Sequence, residues 1–110
     1  MEIIISQKDK TPILHLKGRL DAITSSEFDS YVANIINDIN KLIILNLSKL
    51  EYISSAGLRS LLTFAKKLKS KDAKIVFAEL KGPVRDVFKI SGFYSIFEIV
   101  EAEQDALKNL

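Results

Sequence analysis

Cysteine and tryptophan are absent from this 110-residue chain, and histidine occurs once. The lack of cysteine excludes disulfides, thiolate metal ligands and cysteine nucleophiles, and it is typical of proteins of reducing compartments. No apolar run approaches the ~20 residues that cross a bilayer. The opening residues MEIIISQKDK lack the apolar stretch and cleavage site of a signal peptide. We therefore expect a cytoplasmic protein that does not insert directly into a membrane.

The chain also has little excess of charge of either sign. Sixteen Lys and Arg residues oppose fourteen Asp and Glu residues, which leaves a net charge of +2. A nucleic-acid-binding protein needs a strongly basic surface, so nucleic acid is not an expected partner. Hydrophobic residues make up 47% of the chain. This proportion and the length predict one compact domain that spans residues 1–110.

Segments of strand and helix character alternate along the chain. Strand composition marks five of them: Glu2–Ser6, Ile13–Lys17, Leu42–Leu47, Lys74–Ala78 and Ile96–Val100. A polar link over residues 8–12 predicts a hairpin between the first two. Helical spacing marks four others: residues 28–39 after a capping-box signature at Thr24 and Glu27, residues from Gly57, residues from Gly82-Pro83, and residues from Glu101 that include Leu110.

The order β-β-α-β-α-β-α-β-α predicts an α/β fold with a mixed five-stranded sheet and about four helices. A nucleotide-binding domain shares some of this alternation. The chain contains neither GxGxxG nor GxxxxGK[ST], however, so it lacks the motifs with which such domains bind the phosphates of a nucleotide. No metal-ligand spacing is present either, and we expect no cofactor and no bound metal.

Two serines, Ser54 and Ser55, stand where the apolar third strand gives way to the second helix. A serine at a helix start usually caps it and contributes ~1 kcal/mol. Gly57 weakens a purely structural interpretation, because glycine inside a helix costs up to ~1 kcal/mol and implies the close approach of another group. The exposed N–H groups and partial positive charge of a helix start also suit an added phosphate.

The chain resembles the STAS family, named for sulfate transporters and anti-sigma-factor antagonists, over nearly its full length. Three segments carry the resemblance: Gly18-Arg19-Leu20-Asp21, IILNLSKLEYISSAGLRSLL and KISGFYSIFEIVEAEQDAL. The resemblance implies a binding domain without catalysis. Its partner would be an anti-sigma factor that is also a serine kinase using ATP. The unphosphorylated antagonist would bind this kinase and release a sigma factor, and a serine phosphatase would reverse the phosphorylation.

The family motif reads Asp-Ser-Ser-Gly-Leu or a close variant, and its first serine accepts the phosphate. Aligned on Gly57-Leu58, that acceptor is Ser55, while Ser54 and Ala56 replace the Asp and the second Ser. Asn46 also stands where Asp is common. Phosphorylation of Ser54, or a site that no longer takes phosphate, therefore stays open. By this resemblance the expected partner-binding residues are Asp21, Asn46, Ser54, Ser55, Ala56, Gly57, Leu58 and Arg59.

Three interpretations remain beside this one. Asp21 is a family match, but a turn Asp that caps local N–H groups is an equal alternative. A scaffold subunit of a stress-sensing or lipid-transport complex would keep the fold without phosphotransfer. A Ser55 hydrolase would need a base, and His15 has no visible orienting partner. Glu98, Glu101 and Glu103 are expected on a solvent-exposed face.

Overall fold

A computed structural model describes residues 1–108. Five strands form one sheet in the order β1-β2-β3-β4-β5, in which β1 is antiparallel to β2 and all other neighbours are parallel. The strands are Glu2–Lys8 (β1), Thr11–Leu20 (β2), Leu42–Ile53 (β3), Lys74–Ala78 (β4) and Glu98–Val100 (β5). The helices are Ser25–Ile35 (α1), Ser55–Lys69 (α2), Gly82–Ile90 (α3), Phe93–Ile96 (α4) and Glu103–Lys108 (α5), and a 3-10 turn follows α1. The predicted mixed sheet is confirmed.

Local chemistry explains the turn between β1 and β2. Asp9 and Lys10 both have positive φ, at 50° and 68°, and Lys8 pairs directly with Thr11. This is the geometry of a two-residue turn whose twist matches that of the strands. The connection is therefore shorter than the expected link over residues 8–12.

The end of the chain differs from the prediction in one element. Residues 93–96 form the one-turn helix α4, so five helices are present among residues 1–108, and Ile96 does not belong to β5. Gly92, with φ of 78°, turns the chain after α3. The rings of Phe93 and Phe97 then pack edge to face at a centroid distance of 5.1 Å. Packing of the buried Phe93 ring and the half-buried Phe97 ring favours a compact turn over a longer strand. Leu110 lies outside the described residues.

The two faces of the sheet are covered unequally. Helices α1 to α4 pack on one face over the larger core, which includes the fully buried rings of Phe28, Phe64, Phe77 and Phe88. The single helix α5 covers a smaller apolar cluster on the other face through Ala106 and Leu107. No helix among residues 1–108 is both long and apolar enough to cross a membrane.

Polar contacts fix α5 to its face of the sheet. The Asn46 side-chain amide donates to Glu103 Oε1 at 2.8 Å, and Lys8 Nζ lies 3.1 Å from Glu103 Oε2. The Glu103 side chain is only 15% exposed, so the expectation that it faces solvent is wrong. Burial acts to raise the pKa of Glu103, but the bonds from Asn46 and Lys8 hold it below the ordinary value of 4.5.

This lowered pKa predicts a stability contribution that depends on pH. A carboxyl group whose pKa falls on folding stabilises the protein above its unfolded value, and the contribution is lost as pH falls through the folded value. We expect Glu103→Gln to lower the free energy of unfolding by ~1 kcal/mol at neutral pH, because the ion pair with Lys8 is lost. The difference from wild type should shrink as pH falls below 4.5.

Urea unfolding at a series of pH values measures this effect. The matched control is Glu101→Gln, because the Glu101 side chain is 85% exposed and its ion pair with Arg85, at 3.8 Å, lies at the surface, where such pairs contribute little. The control should follow the wild-type curve. A Glu103→Gln deficit that stays constant down to acid pH would contradict the assignment.

Candidate partner-binding site

The carboxyl ends of β2 and β3 form one edge of the molecule together with the first turn of α2. Both strands run in the same direction, and Leu20 pairs with Ile53 as their last residues. The backbone N–H of Ser54 donates to the Leu20 carbonyl at 3.0 Å. The loop after β2 and the start of α2 therefore lie side by side.

Ser54 is the N-cap of α2. Its backbone is extended, and its Oγ accepts from the Gly57 N–H at 3.3 Å. The bond satisfies one of the N–H groups that a helix start leaves without an intrahelical acceptor. The capping interpretation of the serine pair thus applies to Ser54, whose hydroxyl is engaged in the fold.

Ser55 is the first residue of α2, and it is exposed. The residues around it differ in their exposure. Arg59, one turn further along, is also exposed, whereas Ala56 and Leu58 are half-buried and Leu58 packs against the core. Within the first turn of α2, Ser55 therefore offers the accessible hydroxyl.

Gly57 is buried because the last residues of β2 and β3 lie directly against it. A Cβ atom at this position would lie 2.5 Å from the Leu20 carbonyl oxygen and 2.8 Å from Cγ1 of Ile53. Contacts this short force the backbone to move. The close neighbour that the glycine implied is thus the end of β2, and the glycine sets how near α2 can approach the sheet.

The loop after β2 is built around Asp21. Its Oδ1 accepts from the backbone N–H groups of Ile23 at 3.0 Å and Thr24 at 3.1 Å. The Thr24 N–H bond is the main cause that holds the pKa of Asp21 below its ordinary value. Asp21 therefore orders this loop, in agreement with the turn interpretation.

Thr24 connects the loop to β2. Its Oγ1 donates to the Arg19 carbonyl at 2.8 Å and accepts from the Asp21 N–H at 2.9 Å. The Thr24 backbone is already helical, and its side chain makes no capping bond to α1. The capping box expected from Thr24 and Glu27 is therefore wrong, and Thr24 instead fixes the loop beside α2.

Three side chains that sequence reasoning did not select complete this edge. The Arg19 guanidinium lies 4.2 Å above the ring of Tyr52, and Arg19 Nε is 3.7 Å from Asp21 Oδ2. Ile23, in the same loop, is 81% exposed, and Tyr52 is 38% exposed. Exposed apolar side chains beside polar ones are typical of protein docking surfaces. Ile23 could have been noticed as an apolar residue inside a turn.

Two residues weighed for function lie elsewhere. Asn46 is seven residues before the end of β3, and its side chain bonds to Glu103 under α5, on the opposite face of the sheet from α2. His15 pairs with Asn46 in the neighbouring strand, and its Nε2 lies 3.2 Å from Ser6 Oγ. Neither side chain contributes to the Ser55 edge.

This edge belongs to an α/β domain that presents an exposed serine at a helix start. The STAS domain family matches residues 2–106. BtrV of Bordetella bronchiseptica, which is described as a candidate anti-sigma factor antagonist, is 35% identical over 106 residues; the match covers 96% of this chain and 91% of BtrV. The chain therefore belongs to the STAS domain family.

Solved structures agree with the fold. The crystal structure of an anti-sigma factor antagonist from Mycobacterium paratuberculosis superposes with a TM-score of 0.88 at 21% identity, over 98% of this chain and 92% of that one. The Bacillus cell fate determinant SpoIIAA, in its phosphorylated form, superposes with a TM-score of 0.72 at 19% identity, over 98% of each chain. Both proteins share the arrangement of the sheet and helices described above.

The two serines should respond differently to removal of their hydroxyls. We expect Ser54→Ala to lower the free energy of unfolding by ~1 kcal/mol, because the bond to the Gly57 N–H is lost. Ser55→Ala should change it by less than ~0.5 kcal/mol, since the Ser55 side chain is exposed. Chemical denaturation of the two variants measures both values. Equal losses, or a larger loss for Ser55→Ala, would contradict the assignment of Ser54 as the cap.

Gly57→Ala tests the close approach of α2 to β2. At an unobstructed helix position this change stabilises, by up to ~1 kcal/mol. Here the new methyl group would meet the Leu20 carbonyl, and we expect a loss of about 1–3 kcal/mol. The sign of the change in melting temperature is therefore diagnostic. A higher melting temperature would show that the contact is not restrictive.

Proposed function

We propose that this protein is an anti-sigma factor antagonist of the cytoplasm, regulated by phosphorylation of Ser55. In its unphosphorylated form it binds an anti-sigma factor that is also a serine kinase, and this binding releases a sigma factor for transcription. Transfer of phosphate from ATP to Ser55 ends the binding, and a serine phosphatase restores it. The protein itself needs no catalytic group for this cycle.

The observation that carries this proposal is that Ser54 and Ser55 have different structural roles. Ser54 uses its Oγ to cap α2, whereas Ser55 presents an exposed hydroxyl on the first residue of the same helix. A phosphate on Ser54 would compete with the bond to the Gly57 N–H. A phosphate on Ser55 leaves that bond intact, so we favour Ser55 over Ser54 as the acceptor.

The start of α2 tolerates the added charge. A phosphoserine carries about −1.5 to −2 charges, and the N–H groups and dipole of a helix start stabilise negative charge. Ser55 is the first of the fifteen residues of α2, a helix long enough for this effect. The protein can therefore stay folded in both states of the switch.

A partner surface would respond differently to the same charge. The exposed side chains of Ile23 and Tyr52 belong to the same edge as Ser55, so we expect a partner that covers this edge to remove water from Ser55 as well. A charge left without a counter-charge in such an interface weakens binding by several kcal/mol. Phosphorylation thus acts on the complex more strongly than on the fold.

The relatives support the proposal in two ways. BtrV, the relative that is 35% identical, is described as a candidate antagonist of an anti-sigma factor. SpoIIAA has been solved in unphosphorylated and in phosphorylated forms, each with a TM-score of 0.72 to this chain. The fold therefore accommodates a phosphorylated state in at least one protein that shares it.

Phosphate transfer is tested with the purified protein, ATP and the anti-sigma factor kinase of the same genome. Mass spectrometry of the digested product should place one phosphate on Ser55, and Ser55→Ala should abolish the modification. Ser54→Ala should still be modified. Phosphate on Ser54 would reassign the acceptor. If neither serine is modified, the switch fails and a scaffold role for the same docking edge gains support.

The effect on binding is measured with the same kinase by calorimetry. We expect Ser55→Asp to weaken the complex at least tenfold, because a carboxylate is then buried without a counter-charge. Ser55→Ala should bind as the wild type does. Asp86→Asn, a change of a single charge on the exposed part of α3, is a control that should leave affinity unchanged. Equal affinity of Ser55→Asp and Ser55→Ala would contradict the mechanism.

A further inference from the structure

β1 is the outermost strand of the sheet, and among residues 1–108 no strand pairs with its outer edge. All seven of its residues pair with β2 in one unbroken register from Glu2–Lys17 to Lys8–Thr11. Such a strand presents a regular row of backbone N–H and C=O groups toward its free side.

The usual features that prevent pairing at a sheet edge are missing from β1. The strand EIIISQK contains no proline, and its pairing has no bulge, whereas the irregularities of this sheet lie between β2 and β3. Charged residues occupy only the two ends, Glu2 and Lys8. Between them, Ile4 and Ile5 are 48% and 42% exposed. A seven-residue edge strand with an unbroken register and two exposed isoleucines at its centre favours association with another strand.

We propose that β1 pairs with β1 of a second copy of this chain, antiparallel and centred on Ile5. In this register Ile5 lies opposite Ile5 of the second copy, and Glu2 of each copy lies opposite Lys8 of the other. Opposite charges that face one another across strands stabilise an antiparallel pair. The sequence of β1 is thus complementary to itself under a twofold axis, which closes the assembly at two copies.

Lys8, at the carboxyl end of β1, is available for this contact. Lys8 Nζ lies 3.1 Å from Glu103, but the Lys8 side chain remains 62% exposed. Its ammonium has three donors, so it can bind Glu103 and a carboxylate of the second copy together. Glu2 is exposed as well.

The other free edge of the sheet is a weaker partner for β1. β5 has only three residues, against seven in β1, so a pair of β1 with β5 would form fewer backbone bonds. The symmetric pair also leaves the serine edge open, because the second copy joins the side of β1 that faces away from β2. Dimer formation is therefore independent of phosphorylation.

Sedimentation equilibrium from about 10 µM to about 1 mM, the range of weak interfaces, tests this pairing. We expect a reversible monomer–dimer equilibrium without any kinase present. Ile5→Lys should raise the dissociation constant at least tenfold, since two lysines then meet at the centre of the pair. The control Ile90→Lys, at an isoleucine of α3 that is 86% exposed, should dimerise as the wild type does.

Charge reversal tests the register without touching the apolar centre. Glu2→Lys and Lys8→Glu should each weaken the dimer at least threefold, because each places like charges opposite one another. The double variant Glu2→Lys/Lys8→Glu should recover the wild-type constant within about twofold. Lys8→Glu also replaces the ion pair with Glu103 by two like charges within one copy, and this change is common to the single and the double variant. Circular dichroism confirms that each variant is folded.

Three results would overturn the proposal: a wild-type protein that stays monomeric at about 1 mM, the upper end of weak association, a dimer that Ile5→Lys leaves unchanged, or charge variants whose effects add instead of cancelling. Because no kinase or phosphate is used, each of these results is independent of the role proposed for Ser55.

Discussion

The Leu20 carbonyl is the point on which the serine edge depends. It accepts the N–H of Ser54 at 3.0 Å, and it lies where a side chain on Gly57 would have to go. The first contact positions the start of α2 beside the end of β2, and the second requires that the helix carry a glycine there. Ser54 and Gly57 both contact the Leu20 carbonyl, whereas Ser55, which lies between them in the chain, is exposed.

At this junction, the residues that hold the backbone at the start of α2 differ from the residue that presents an exposed hydroxyl. The cap bond of Ser54 and the turn of Asp21 hold the backbone, and neither involves the Ser55 hydroxyl. A charge added to Ser55 can therefore change what the surface binds while the sheet and core stay as they are. The pairing side of β1 faces away from β2, so the proposed dimer contact and the proposed switch at Ser55 use different surfaces.

Most of the fold could be predicted from the sequence, since apolar periodicity and turn residues carry that information. The mixed five-stranded sheet followed from the alternation of strand and helix segments along the chain. The full length of β3 did not follow, because Ser48, Lys49 and Glu51 interrupt the apolar run. The strand conformation of residues 48–53 comes from pairing with β2 as far as Ile53. The helix at residues 93–96 was missed because the burial of Phe93 and Phe97 against other rings is a tertiary effect.

The candidate site was predicted in part. The serine pair, Gly57 and Asp21 were identified from local patterns and from the resemblance to the STAS family. The division between a capping Ser54 and an exposed Ser55 needed coordinates, as did the position of Asn46 on the far face. Tyr52 and Arg19 come together only because β2 and β3 pair, which no local pattern reveals.

Hydrogen–deuterium exchange of the protein with and without its anti-sigma factor tests the central claim most directly, because it locates the docking surface without any substitution. The account predicts slower exchange in the loop of residues 21–24 and in the first turn of α2, with little change in β1 and α5. Protection confined to β1 or α5, with the first turn of α2 unaffected, would contradict the assignment of the Ser55 edge as the partner-binding surface.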